Sequence, residues 1–138
     1  MITDYFQNII AGSVFHASDS PGSIPDVYYF GVSTTQPNAS GGNVTEPSSS
    51  AGYERVQIAG LKMKEGVNGV VTNIAAISTS EATSSWGSIP YYVVYDAKSG
   101  GNLLGYGAFS DPKTVEASSM LTMKAGMMAL TVKNLDQQ

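Results

Sequence analysis

The chain has no cysteine in its 138 residues, which excludes disulfide staples and thiolate metal sites and leaves packing as the source of stability. Positive charge is almost as scarce. The 7 Lys and Arg stand apart along the sequence against 11 Asp and Glu, for a net charge of -4. A nucleic-acid binder neutralises phosphates with clustered basic side chains, so neither DNA nor RNA is expected as a partner.

Histidine occurs once, at His16, with Asp19 three residues on. Without a G-x-S-x-G elbow, a second histidine or a cysteine, that pair makes no nucleophilic relay, and His16 reads as a structural or surface residue. The acidic residues form no D-x-D-x-D-G calcium loop. No catalytic residue, cofactor or metal is expected. The opening "MITDYFQNIIAGSVF" has no basic leader region, and no run of about 18 apolar residues occurs, so neither a signal peptide nor a membrane span is expected. No period of about 20–50 residues repeats, which argues against a solenoid or a propeller.

What is present suffices for one domain over residues 1–138: 42% apolar residues for a core, and a surface of Ser, Thr, Asn, Gln and Gly with only 13% charge. Ile2, Tyr5, Phe6, Ile9 and Ile10 recur at helical steps, with Gly12 as a stop, and predict a short amphipathic helix over residues 1–12. Residues 13–26 are dense in Ser, Pro, Gly and Asp and read as a connector. "VYYFGVS" begins the strands at residue 27, and a polar segment near 34–52 follows as an exposed loop. "YERVQIAG" then alternates as a half-buried strand over residues 53–60.

From there to residue 135, short apolar or alternating runs are separated by turn residues, with no helix-length segment between them. That rhythm predicts a mainly β domain, an antiparallel β-sandwich or jelly roll over residues 27–135, carrying the N-terminal α-helix. Pro90 cannot donate to a ladder, so the strand around it begins near Pro90 or lies at an edge there.

Two features ask for a partner. Gly105 and Gly107 sit two apart in "NLLGYGAFS", and strict alternation puts Leu103, Gly105, Gly107 and Phe109 on one face, a slot for a large ring such as Trp86 or Tyr92. Trp86, the single tryptophan, either caps the sandwich core or anchors an interface, where it could stack a sugar; the eight Tyr suit either role.

Taken in order, "YYFGVSTTQP", Gly52-Tyr53-Glu54-Arg55, "NIAAISTSEATSSWGSI" and above all "VVYDAKSGGNLLGYGAFSDPKTVEASSMLTMKAGMMALTV" resemble a family of small tailed-phage virion proteins, tail-fibre-like or capsid-decorating, over nearly the whole chain. The resemblance implies a non-enzymatic structural protein of the virion, assembled in the cytoplasm of the host bacterium. Two placements follow. A capsid decoration (cement) protein would bind the major capsid protein as a small homo-oligomer, a trimer before a dimer. A tail-fibre or tail-tip component would attach at one end to other virion proteins and face the host surface. The absence of shaft repeats or heptads favours decoration. Tyr5, Phe6, Ile9 and Ile10 are then the candidate anchor, unless that helix face merely covers the sandwich. A carbohydrate-binding module using Trp86 and exposed tyrosines is the reading from another class.

Overall fold

A computed structural model describes residues 1–132. Helix α1 spans Asp4–Val14. Thr3 starts it as N-cap with extended backbone, its Oγ1 accepting from Phe6 N at 3.3 Å while donating to Leu103 O at 2.7 Å. Asp4 in the first turn complements the positive end of the helix dipole. The helix closes with His16 in the left-handed region (φ 54°) and Ala17 N bonded back to Gly12 O, the 6→1 bond of a Schellman ending. The lone histidine therefore has a backbone task. Thr3→Ala lowers stability by about 1 kcal/mol, read as a shift of the urea midpoint at unchanged m-value.

Among the described residues nine strands follow: β1 Tyr29–Ser33, β2 Val56–Gln57, β3 Leu61–Met63, β4 Val70–Asn73, β5 Ile77–Ser78, β6 Gly87–Tyr95, β7 Leu103–Val115, β8 Thr122–Met123 and β9 Ala129–Thr131. They pair antiparallel as a four-stranded sheet in the order β2-β1-β6-β7, a three-stranded sheet β3-β4-β9, and the pair β5-β8. One core joins them: Phe30 and Val32 of β1, Ile89, Tyr92 and Val94 of β6, and Leu104 and Phe109 of β7 share it with Ile77, Met123 and Leu130 of the smaller sheets, and with Phe6 and Ile9 of α1. The architecture is a mainly β, sandwich-like domain with one short N-terminal helix. Among the described residues no helix is long and apolar enough to cross a membrane.

Several local expectations are corrected. Residues 1–3 are not helical. Ile2 forms an antiparallel bridge with Gly105, Tyr106 N donates to Met1 O at 2.9 Å, and Thr3 N donates to Leu104 O at 2.9 Å, so the chain start lies along the outer edge of β7. The strand expected over residues 53–60 shrinks to Val56–Gln57, because only these two residues pair with β1, at Phe30 and Tyr29. Pro90 does not begin β6, which starts at Gly87, but it lies at a local edge: β1 pairs with β6 only from Tyr91 to Tyr95, so among the described residues β7 alone flanks Pro90. The β6–β7 ladder passes from Ile89↔Lys113 to Tyr91↔Ala108 with the register broken between, and the residue that has no N–H to give falls at the break.

The segment 34–52 is not simply an exposed loop. Thr34 N to Thr45 O (2.9 Å), Thr45 N to Ser33 Oγ (3.0 Å) and Thr35 Oγ1 to Asn43 O (2.6 Å) zip it into an irregular hairpin. Asn38 Oδ1 accepts Gly42 N at its tip, Ala39 O accepts the Asp4 N–H of α1, and Pro37 is buried. Small hydroxyl and amide side chains close bonds that a ladder would otherwise make. Of the last expected strand, Ala129–Thr131 forms β9; its continuation to residue 135 lies outside the described residues.

Candidate functional site

The glycine pair is a packing device facing the interior. Gly107 stands opposite Tyr92, and a Cβ there would overlap Oη and Cζ of the tyrosine. A Cβ at Gly105 would overlap Cδ2 of Leu130 and press on Met1 O. Lying over Gly107, Tyr92 donates its hydroxyl to Ala129 O at 2.9 Å and accepts from Ala129 N at 3.2 Å, while its ring meets Phe109 edge-on at 5.5 Å. The ring thereby ties β6 of the large sheet to β9 of the second sheet.

Trp86 does not enter this slot, and Leu103 is not part of it. A register shift places Tyr95 opposite Leu103 and Val94 opposite Gly105, leaving Leu104 as the extra residue of a bulge. Leu103 then packs with Val93 and Tyr95 in a separate cluster, and Leu104 joins the main core.

The candidate interface residues are committed to the fold. Phe6 and Ile9 are buried in the core, and Tyr5 and Ile10 pack against its margin, so this helix face covers the sheet. Trp86 is buried, its Nε1 donating to Ala51 O at 2.9 Å and its ring edge-on to Tyr53 at 5.3 Å. Every tyrosine is at least half-buried, which leaves Phe15, 80% exposed beyond α1, as the open ring among the described aromatics.

A partly buried ion pair has no counterpart among the sequence expectations. Arg55, 7% exposed, meets Glu46 two-pronged, Nη2 to Oε1 at 2.7 Å and Nε to Oε2 at 3.1 Å. Its Nη1 donates to Ala97 O at 2.8 Å and Gly100 O at 2.7 Å, and Cζ lies 3.5 Å from the Tyr95 ring centroid. Tyr53 adds its hydroxyl to Glu46 Oε2 and accepts Val32 N at 3.1 Å. One guanidinium thus clamps the 34–52 hairpin, the entry to β2 and the β6–β7 turn. The turn is fixed independently: Asp96 Oδ1 takes Asn102 N at 2.7 Å, and Gly100 and Gly101 adopt positive φ. The sequence signals at Arg55 were its place in the Gly52-Tyr53-Glu54-Arg55 motif and a charge on the same side of an alternating run as Tyr53.

Burial works against charge on Arg55, but the hydrogen bonds and field of Glu46 outweigh it and hold its pKa above the ordinary value. Burial, then the bond to Glu46 and its charge, pushes the Tyr53 phenol above the usual range; burial also raises Tyr92 and Tyr95. The fold therefore holds these protons more tightly than the unfolded chain, whose phenols titrate near pH 10. The stability they contribute is intact below about pH 10 and is lost as pH rises through the folded values. Guanidinium midpoints that hold steady from pH 7 to 9 and fall at pH 11, alongside late tyrosinate absorbance at 295 nm, are the expected result.

The groups of this cluster satisfy one another. Among the described residues no group of three or more His, Cys, Asp or Glu could hold a metal ion. The comparison with protein families gives a match to Podophage GP4 fiber I protein gp80 over residues 1–131, all but the last residue of the described fold. The chain belongs to this family. No curated protein matches it. Membership of the gp80 fibre family makes the protein a structural component of a phage virion and agrees better with the tail-fibre placement than with decoration. A fibre protein of this family is built here as a compact sandwich.

Proposed function

We propose that the chain is a non-enzymatic part of a podophage tail fibre, assembled in the cytoplasm of the bacterial host and attached to other virion proteins as a homo-oligomer, with a trimer expected. The family match over residues 1–131 carries this reading, because it takes in the helix, the 34–52 hairpin and every strand. The fold agrees with such a part. Its helix face and glycine slot are consumed internally, and the Arg55 clamp stiffens one side of the sandwich, as suits a module that transmits load.

Family membership supports the fibre over the capsid-decoration placement with the major capsid protein as partner, and no surface feature favours the shell. The sugar-stacking reading loses its platform with Trp86 in the core. An antibody against the folded chain, gold-labelled and applied to intact particles, is expected to mark the tail; gold spread over the shell overturns the proposal. Sedimentation of the purified chain reads the oligomer directly.

A further inference from the structure

Lys113 and Lys124 line one cleft of about 350 Å³ together with Ser110, Thr122, Phe109 and Met127. That volume lies within the range of small-ligand sites, about 300–1,000 Å³. No carboxylate lines the cleft, and neither lysine forms a salt bridge among the described residues, although the chain as a whole is acidic. Two unneutralised ammonium groups sharing a concave wall focus a positive field that an anion would relieve.

The two lysines stand on fixed backbone. Lys113 is held in the β6–β7 ladder opposite Ile89. Lys124 opens a turn organised by the buried Asn73, whose Nδ2 donates to Lys124 O at 3.0 Å and whose Oδ1 accepts Met128 N at 3.0 Å; Gly126 N and Met127 N close the same turn on Asn73 O and Lys124 O. The cleft lining also carries the hydroxyl of Ser110, that of Thr122, which shares a 3.0 Å hydrogen bond with Ser78 Oγ, and apolar surface at Phe109, Met123 and Met127. Cations for an anion, hydroxyls for neutral polar groups and an apolar floor for a C–H face together match a sugar that bears a phosphate or a carboxylate. We infer that this cleft binds an anionic saccharide. Its use on a host surface rests on the fibre reading; the binding itself does not.

The test is a titration of the full chain followed by backbone amide NMR. Glucose 6-phosphate and glucuronate are the probes, and glucose and inorganic phosphate are the controls. Shifts confined to residues 108–113 and 122–127 are expected with the charged sugars. Glucose should give none, inorganic phosphate should bind several-fold more weakly, and the stronger of the two charged sugars identifies the anionic group. Lys113→Gln with Lys124→Gln should weaken binding at least tenfold with the spectrum otherwise retained. The inference is overturned if the charged sugars leave these amides unmoved, if the double variant binds as tightly, or if glucose or inorganic phosphate matches them. Gold at the tail with no sugar binding would sink the cleft alone, whereas sugar binding with gold on the shell would sink the fibre placement alone.

Discussion

Glu46→Ala lowers the unfolding free energy by about 1.5–3 kcal/mol, the range for hydrogen bonds to a charged group, short of a fully buried pair because the Glu46 side chain keeps 21% of its surface in water. Arg55 cannot swing into water to recover, because both Nη1 protons are engaged by Ala97 O and Gly100 O and its plane lies on the Tyr95 ring. The variant leaves a guanidinium with two lost charge-assisted bonds, and strands the Tyr53 hydroxyl that had donated to the same carboxylate. Urea unfolding followed by Trp86 fluorescence reads the loss, since that ring lies against Tyr53. A second expectation separates the clamp from ordinary packing. Replacing Arg55 and Glu46 together by Leu and Met costs much less than Glu46→Ala alone, because no charge is then left without a partner. A loss below about 1 kcal/mol for Glu46→Ala would mean that water reaches Arg55 and that the clamp is a surface contact.

Gly107→Val destabilises by about 3 kcal/mol, the upper part of the range for overpacking a core. The new branches occupy the space of the Tyr92 phenol, and the ring cannot retreat without giving up both of its hydrogen bonds to Ala129. The effect belongs to the pair. In a Tyr92→Leu background the same valine should cost distinctly less, and the difference is the coupling between the two positions. Thermal melts of the four proteins in that cycle give it; equal losses in both backgrounds would show that the valine strains β7 itself and not its contact with Tyr92.

The helix, the antiparallel class and most strand cores were legible because burial on one face leaves a period in the sequence. Phe6 and Ile9 of α1, and Phe30 and Val32 of β1, are where that period places them. Periodicity does not say what covers a face, so the stripe of α1 served equally well as an anchor or as the lid that it is. A one-residue bulge at Leu104 reverses every face assignment on its N-terminal side, which misplaced Leu103 while leaving Gly105, Gly107 and Phe109 in register. The Glu46–Arg55 pair was out of reach for another reason. It joins a polar hairpin to a distant turn, and no local pattern marks two charges as destined for each other. The cleft of Lys113 and Lys124 likewise unites β7 with the β8–β9 turn only after folding.

The chain start lying along β7 also sets an order of events during synthesis. Thr3 waits for a partner 101 residues further on, and the Met1 amine for one 105 residues further on. At about 5–20 residues per second on the ribosome, that gap lasts of the order of 5–20 s. Helix α1 cannot settle on its sheet until nearly the entire chain has been made, so completion of the domain is timed by translation of its last quarter. Slowing translation within residues 90–110 should postpone closure of the amino-terminal edge in step, while the β1–β2 region is already free to form.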